Sequence, residues 1–365
     1  MKLFHISLLS ALLCAPAAGA QTAQHLNATK ANDYAIVYSL PRTAIDITVE
    51  AEITVKKPGE FFKYAPKYLH VNNPITAESH SARILSAKIY THGTPNPEER
   101  YSIQFKPGNP VVVALDEAGI PLAINTDETA PSAIPELPQP REAAPTPLET
   151  PAARQAVSED MLRSQSTAKR AELAAQAIFA IRQTRSDLIS GQADNMPPDG
   201  KSMQLMLDNL QAQEEALTAM FIGTTSTRTE VVTYTVSDLT LDDTDSARLI
   251  IARLSAIEGL TDADDLAGTP IYLDLSVVQR GEAPVNEKGQ TLPFPKNGVP
   301  YTIPGQVKAT LQCDGETCAD ATLDIAQLGI TYGLAPNSFT NRKDPIYIIY
   351  DPATGALLRQ GAAAH

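Results

Sequence analysis

The stretch IDITVEAEITV at residues 45–55 alternates between apolar and polar side chains. Its apolar residues hold the odd positions, and Asp, Thr and Glu hold the even ones. Because successive side chains of a β-strand point to opposite faces, this pattern predicts one long strand with a single buried face. The turn signal Lys57-Pro58-Gly59 follows and ends the strand.

Further strands are predicted after this stretch. Residues 84–90 and 101–105 flank the turn signal Thr94-Pro95-Asn96-Pro97, and 111–115 is expected to pair with 120–124. Short strands separated by turns are typical of a sandwich or of a partly open sheet.

Strands return towards the C-terminus. The runs 229–236 and 271–278 are rich in β-branched residues, and 345–350 is a further strand candidate. Residues 245–259 fit a helix as well as a strand, and we favour the strand over 248–254.

Two helices are predicted between these β-rich regions. Ser158 opens the first, whose apolar residues recur at helical spacing until Ser190-Gly191 closes it. The second carries one apolar stripe from Met203 to Phe221, and Gly223 follows as its stop signal. Because each helix has one apolar stripe, the two are expected to form a hairpin.

The resulting fold class is α+β and mainly β, with two antiparallel β-rich, sandwich-like domains and a two-helix hairpin between them. Prolines crowd residues 126–154, and because proline fixes φ and lacks an N–H donor, this segment is predicted to be a linker or a long exposed loop. The predicted segments are a signal peptide at 1–20, an N-terminal β-rich domain at 33–125, the Pro-rich linker at 126–154, the helical hairpin at 158–223 and a C-terminal β-rich domain at 224–361.

The composition excludes one large class of partners. The 365 residues include 42 acidic and 29 basic side chains, which gives a formal net charge of −13. Sequence-independent binding to nucleic acid needs a basic surface, so no nucleic-acid partner is expected. A hydrophobic fraction of 43% and a charged fraction of 19% are ordinary for a folded protein, and the length suits about two domains.

Residues 1–20 have the pattern of a secretory signal peptide. Lys2 provides a basic start, the apolar run 3–13 is too short to span a membrane stably, and Ala18-Gly19-Ala20 forms a small-residue cleavage site. No later apolar run has membrane-spanning length, so no transmembrane segment is expected. The mature protein is expected to be soluble and exported, in the periplasm, at the cell surface or secreted.

Cys313 and Cys318 are the cysteines left after removal of the signal segment. They enclose Asp314-Gly315 between two alternating apolar runs, which predicts a hairpin with the cysteines on facing strands, within disulfide distance. The alternatives are a redox dithiol and half a zinc site. A redox pair more often has the spacing C-x-x-C, and no nearby His or Cys completes a zinc site. We therefore predict a structural disulfide.

Several short motifs together resemble a family of exported bacterial proteins known as domain of unknown function 4831. The resemblance spans roughly residues 34–358, apart from the Pro-rich insert, and implies an envelope-directed protein. It implies no activity and no catalytic residue. The motifs that carry it are Tyr38-Ser39-Leu40-Pro41-Arg42-Thr43, Phe61-Phe62-Lys63-Tyr64-Ala65 with Tyr68-Leu69, Asn195-Met196-Pro197-Pro198-Asp199-Gly200, Gly223-Thr224-Thr225-Ser226 and Asp262-Ala263-Asp264-Asp265-Leu266-Ala267-Gly268.

Known catalytic motifs are missing from the sequence: there is no H-E-x-x-H, nucleophile elbow, P-loop or dinucleotide fingerprint. A Ser-His-Asp group assembled from distant segments stays open, and no residues select one. The densest acidic motif contains Asp262, Asp264 and Asp265, and clustered carboxylates on a turn suit calcium. The alternative is a turn whose Asp side chains cap backbone donors. No other cofactor is predicted.

Four aromatic residues lie close together in the sequence: Phe61, Phe62, Tyr64 and Tyr68. The segment also contains Lys63 and Lys67, and it is predicted to form a short helix or an aromatic turn. Aromatic faces beside polar groups can stack on sugars or on partner side chains, so this segment is a candidate binding patch. The alternative interpretation is that the rings are buried and the lysines solvate the outside.

The function expected from the sequence is that of an exported cell-envelope or secreted protein, a non-enzymatic binding or structural module for an unknown protein or glycan of the envelope. No catalytic residue is assigned. The alternative is a carboxylate-dependent hydrolase acting on glycans, which needs two carboxyl groups facing each other across a pocket.

Export can be tested at the N-terminus of the mature chain. Because Leu13 is bulky where a lipoprotein site takes a small residue, Cys14→Ser is expected to leave processing unchanged, with Gln21 as the first residue of both proteins. N-terminal sequencing and intact mass of the exported protein measure this. A lipid-modified N-terminus at Cys14, or retention of residues 1–20, would contradict the expectation.

Overall fold

The computed structural model describes residues 22–25, 35–104, 111–131, 134–197, 199–239, 241, 245–335, 339 and 346–362. The predicted signal peptide at 1–20 lies outside the described residues, as do Phe105 and Pro345 at the limits of two predicted strands. The strands are β1 (Thr22–His25), β2 (Ala35–Lys57), β3 (Ser79–Gln104), β4 (Val113–Leu115), β5 (Pro121–Ile124), β6 (Thr224–Val236), β7 (Ser246–Ser255), β8 (Gly259–Thr261), β9 (Thr269–Gln279), β10 (Val299–Cys313), β11 (Glu316–Leu334), β12 (Ile346–Tyr350) and β13 (Leu357–Ala362). The α-helices are α1 (Ala65–Leu69), α2 (Pro151–Ala156), α3 (Glu159–Arg163), α4 (Thr167–Ser190) and α5 (Gly200–Ile222), with 3-10 turns at Phe62–Tyr64 and Pro147–Glu149.

The protein is α+β and mainly β, as predicted. Its described strands form three antiparallel sheets. Sheet 1 has the order β1-β3-β2-β6, sheet 2 the order β11-β10-β9-β7-β8, and sheet 3 the order β13-β12-β5-β4.

The alternating stretch 45–55 lies in β2 and supplies the largest core. Ile45, Ile47 and Val49 are fully buried and pack with residues of sheet 2 such as Leu273 and Leu311. Sheets 1 and 2 therefore form a sandwich with β2 at its centre.

The polar face of β2 is also buried near Asp46 and Thr48, whereas the sequence predicts a strand with one buried face. Asp46 is 7% exposed and accepts a hydrogen bond from the Thr235 hydroxyl at 2.6 Å. Thr48 shares a 2.7 Å hydrogen bond with the hydroxyl of Thr233. Burial of these groups is tolerated because they have hydrogen-bond partners on the neighbouring strand.

Two smaller cores complete the interior. One lies under sheet 3 and includes Tyr38 and Leu40 at the start of β2, together with Tyr350 of β12. The other belongs to the helices and includes Phe61, whose ring packs on Phe221 at a centroid distance of 5.4 Å.

The predicted turn at Thr94-Pro95-Asn96-Pro97 is wrong, because β3 runs through it without interruption. Pro95 pairs with Pro41 of β2, and the register then shifts so that Ser39 pairs with Arg100. Proline lacks the N–H that a regular ladder needs and is tolerated where pairing shifts in this way. The prolines therefore mark an irregularity inside one long strand.

Other local predictions are confirmed. Residues 245–259 contain β7, and the turn at 116–119 joins β4 to β5. Gly191 ends α4 in the left-handed conformation, and Gly223 follows α5. The first predicted helix is wrong in one respect, since it is not continuous from Ser158 to Ser190: it is divided into α3 and α4, because Ser166 caps a new helix with its side chain.

Strand pairing crosses the predicted division between residues 33–125 and 224–361. β6 pairs with β2 in sheet 1, and β12 pairs with β5 in sheet 3. The Pro-rich segment also contacts the body of the protein, since Arg141 forms a β-bridge with Thr229. The positions of the predicted domain boundaries stay a prediction.

Phe61 provides a test of the helical core. Because its ring is fully buried against Phe221, Phe61→Ala is expected to lower the free energy of unfolding by about 3–5 kcal/mol. Phe179 on α4 is half exposed, so the matched change Phe179→Ala should cost no more than about 1 kcal/mol. Urea denaturation measures both, and equal losses would contradict this assignment.

Candidate functional site

A groove of about 760 Å³ opens at one end of the sandwich, and we call it the end groove. Its first wall is residues 82–86 of β3, its second is residues 266–271, and its third is the hairpin tip 313–318. Leu254 and Ala256 complete the described lining. In an antiparallel sheet the end of one strand lies beside the start of the next. The start of β9 and the tip of the β10–β11 hairpin therefore meet at the same end of sheet 2, opposite β3.

The hairpin tip is the wall that the sequence predicts best. Asp314 and Gly315 occupy its turn with φ values of 50° and 85°. Positive φ at both positions is the requirement of the tight hairpin turn for which Asp-Gly is favoured. Cys313 and Cys318 are joined as predicted, with their Cα atoms 6.0 Å apart. Cys313 is buried in the sandwich core, so the disulfide attaches Cys318, on the second strand of the hairpin, to a residue held in the core.

The β3 wall is the edge of sheet 1 along the groove. Over residues 79–95, β3 pairs with β2 on one side, and no described strand pairs with its other side. The register with β2 shifts between Ser86 and Ile84, which leaves Leu85 as the extra residue of a β-bulge. Bulges at sheet edges redirect side chains. Leu85 lines the groove and is 40% exposed.

The acidic turn next to the second wall has the hydrogen bonds of a capped turn. The Asp265 carboxylate accepts from the N–H of Ala267 at 2.9 Å. Arg253 donates to the carbonyl oxygens of Ala263 and Gly268 at 2.9 and 3.1 Å. The Arg253 guanidinium thus binds carbonyl oxygens that would otherwise be available as ligands to a cation at this turn.

The described part of the chain does not assemble a metal site around Asp262, Asp264 and Asp265. No group of three His, Cys, Asp or Glu side chains that could hold a metal lies among the described residues. Calcium at this turn therefore stays a prediction from sequence. The role of Arg253 could not be predicted from the sequence, because this residue reaches the turn from the neighbouring strand β7.

The end groove has an acidic rim. Asp314 and Glu316 line it, and Asp264 and Asp265 precede its second wall in the chain. Among the described residues of the lining, Arg83 is the one basic residue, and its Nε donates to the Glu52 carboxylate at 2.7 Å. This hydrogen bond and the charge of Glu52 raise the pKa of Arg83. Because Arg83 is already paired, the rim presents excess negative charge.

The aromatic segment lies apart from the end groove lining. Phe61 is fully buried, so its assignment to a surface binding patch is wrong: it is a core residue. Phe62, Tyr64 and Tyr68 are half-buried, with Lys63 and Lys67 exposed over the rings of Phe62 and Tyr68. This arrangement matches the alternative interpretation, in which the rings pack inward and the lysines solvate the outside.

A polar cluster on sheet 1 was missed by the sequence analysis. His92 contacts the Asp46 carboxylate through Nδ1 at 2.5 Å, and the Thr235 hydroxyl binds the other carboxylate oxygen. In a catalytic triad the hydroxyl lies on the histidine, on the side away from the carboxylate. Here the hydroxyl binds the carboxylate, so the cluster lacks the order of a triad. The only sign of this cluster in the sequence is Asp46, which occupies a polar position in the alternating pattern of β2.

The carboxyl groups do not form an acid and base pair across the groove. Asp314 and Glu316, the two acidic residues that the described part of the chain adds to the lining, both lie on the hairpin tip and thus on one wall. Glu149 and Asp199 do not line the groove, and hydrogen bonds from Thr146 and Ser202 lower their pKa values. A general acid at neutral pH needs a raised pKa instead.

Comparison with protein families adds one result. The family model described as Domain of unknown function (DUF4831) matches residues 34–358, which include all three walls of the end groove. The chain belongs to this family. No curated protein and no solved structure matches the chain. Within the described residues, no helix has the length and apolar character needed to cross a membrane.

The disulfide can be tested for its effect on stability. The double change Cys313→Ser and Cys318→Ser opens a very short loop, so the free energy of unfolding should fall by only about 2 kcal/mol. Urea denaturation measures the loss, and reduced wild-type protein should match the double variant. A difference between these two proteins would mean that the serine substitutions themselves disturb the tip.

Proposed function

We propose that the protein is an exported, non-enzymatic binding module that holds a partner of the cell envelope in the end groove. The observation that carries this proposal is the open edge of β3 along a groove whose other two walls are fixed by covalent or hydrogen bonds. Fixed walls lower the entropy cost of binding, because little has to be ordered when the partner arrives.

Export is supported by two features of the chain. The signal peptide pattern at 1–20 directs the protein to the periplasm, the cell surface or the medium. The disulfide at the hairpin tip suits such a compartment, because disulfides persist where thiols are not kept reduced.

A binding role agrees with the chemistry of the groove better than hydrolysis of a glycan does. Its lining offers backbone groups, exposed leucines and an acidic rim. A glycan hydrolase would need carboxyl groups on both sides of the scissile bond, and Asp314 and Glu316 share one wall.

Site-specific photo-crosslinking in the cells that produce the protein tests the proposal. With p-benzoylphenylalanine at Leu85 or at Leu266, we expect one discrete adduct that is the same at both positions, because both residues line the groove. Val278 and Leu358 are exposed and do not line it, so the same probe there should give no such adduct.

A groove-filling variant makes the test specific. Ala267→Trp places a large ring at an exposed position of the lining and should abolish the adduct. Ala180→Trp, at an exposed position of α4, is the matched control and should preserve it. An adduct that survives Ala267→Trp, or that also forms from Val278, would refute the groove as the binding site.

A further inference from the structure

The β3 wall presents unused backbone hydrogen-bonding groups to the end groove. In an antiparallel pair, alternate residues point their N–H and C=O groups away from the partner strand. β2 occupies one side of β3, and β1 meets the other side only at residues 101–104. Among the described residues, none donates to or accepts from the outer backbone groups of 82–86. A short row of donors and acceptors is therefore free at the groove.

Two exposed leucines stand beside this row. Leu85 is placed in the groove by the bulge, and Leu266 on the second wall is 83% exposed. Apolar side chains at this level of exposure can bury surface when an occupant fills the groove. Together with the backbone row, they offer what an added strand uses: main-chain hydrogen bonds and side-chain contacts.

The charge of the rim indicates the charge of the occupant. Asp264, Asp265, Asp314 and Glu316 carry four negative charges against the one positive charge of Arg253, and the Arg83 guanidinium is engaged by Glu52. Complementary charges steer association and exclude partners of like sign. An occupant with Lys or Arg side chains fits this rim. A second copy of the chain, joined edge to edge at the same groove, would bring the same carboxylates together and meet a bulge that disrupts regular pairing.

We propose that the ligand of the end groove is an extended polypeptide segment rich in Lys or Arg, which adds as a strand to the outer edge of β3. This rests on the proposed binding function and names the class of its partner. The main-chain hydrogen bonds form with residues 82–86, Leu85 and Leu266 contact apolar side chains of the segment, and the acidic rim binds its cations.

Peptide binding to the full mature chain tests the proposal. The probe is a fluorescein-labelled ten-residue peptide of alternating Lys and Val, and fluorescence anisotropy measures its affinity. A Glu and Val peptide of the same length is the charge control and should not bind. Affinity for the Lys peptide should fall as salt rises, because exposed charges are screened.

Backbone methylation of the peptide separates strand addition from simple charge attraction. Two versions carry N-methyl groups on alternate residues, one on the odd and one on the even positions. An added strand bonds through alternate amides only, so one version should lose affinity at least tenfold while the other stays within about threefold of the parent. If the two methylated peptides bind with equal affinity, or lose affinity equally, the proposal is overturned. This test modifies only the peptide and leaves the protein unchanged.

Two protein variants locate the peptide. Ala267→Trp should abolish peptide binding, and Ala180→Trp should leave it unchanged, with circular dichroism to verify that both fold. Binding that is unaffected by Ala267→Trp would overturn the assignment to the groove. If sedimentation shows dimers that the Lys peptide does not disrupt and Ala267→Trp does, a second copy is the occupant and the proposal is wrong.

The two proposals can fail separately. If cellular crosslinks from Leu85 and Leu266 lead to a sugar or a lipid, the binding function stands and the polypeptide ligand is refuted. If those positions give no adduct in cells and neither methylated peptide differs from the parent, both proposals are refuted.

Discussion

The burial of both faces of β2 is the constraint on which the rest of the structure depends. This strand pairs with β3 and β6, and its apolar face fills the core shared with sheet 2. Thr43 then fixes the neighbouring sheets to it: its N–H donates to Gln327 of β11 at 2.9 Å, and its hydroxyl donates to the carbonyl of Ala353 at 3.0 Å. Buried polar groups of this kind are costly to leave unpaired, so the sheets have one arrangement that satisfies them.

The end groove follows from that arrangement. With β2 central and β6 on its other side, residues 79–95 of β3 are left without a described outer partner, and part of this edge lies beside the disulfide tip. The acidic turn next to the second wall is held by Arg253, and the tip is held by the bond between Cys313 and Cys318. The groove is thus bounded by a strand edge without a described partner and by two braced loops, which is the geometry that the proposed binding of an extended chain uses.

Local patterns predicted the parts of the fold whose causes are local. The period-two stretch 45–55 indicated β2, Asp314-Gly315 indicated the disulfide hairpin, and Gly191 indicated a helix end, because each depends on a few adjacent residues. Pairing between distant strands could not be predicted, because alternation reports which face is buried and not which strand lies alongside. The same limit hid the end groove, whose walls come from three separate parts of the chain, and the burial of Asp46, whose partner Thr235 lies on another strand.

An open strand edge can pair with an unwanted strand as well as with a ligand. The bulge and the carboxylates of the rim affect both kinds of pairing. An exposed edge invites pairing with any other edge, including that of a second copy. Here the bulge at Leu85 interrupts the ladder, and the carboxylates of Asp314 and Glu316 repel an identical rim. A flexible basic segment escapes both restraints, since it can adapt to the bulge and its charge is attracted by the rim. The residues proposed to select a basic segment are therefore the same ones that disfavour pairing with a second copy.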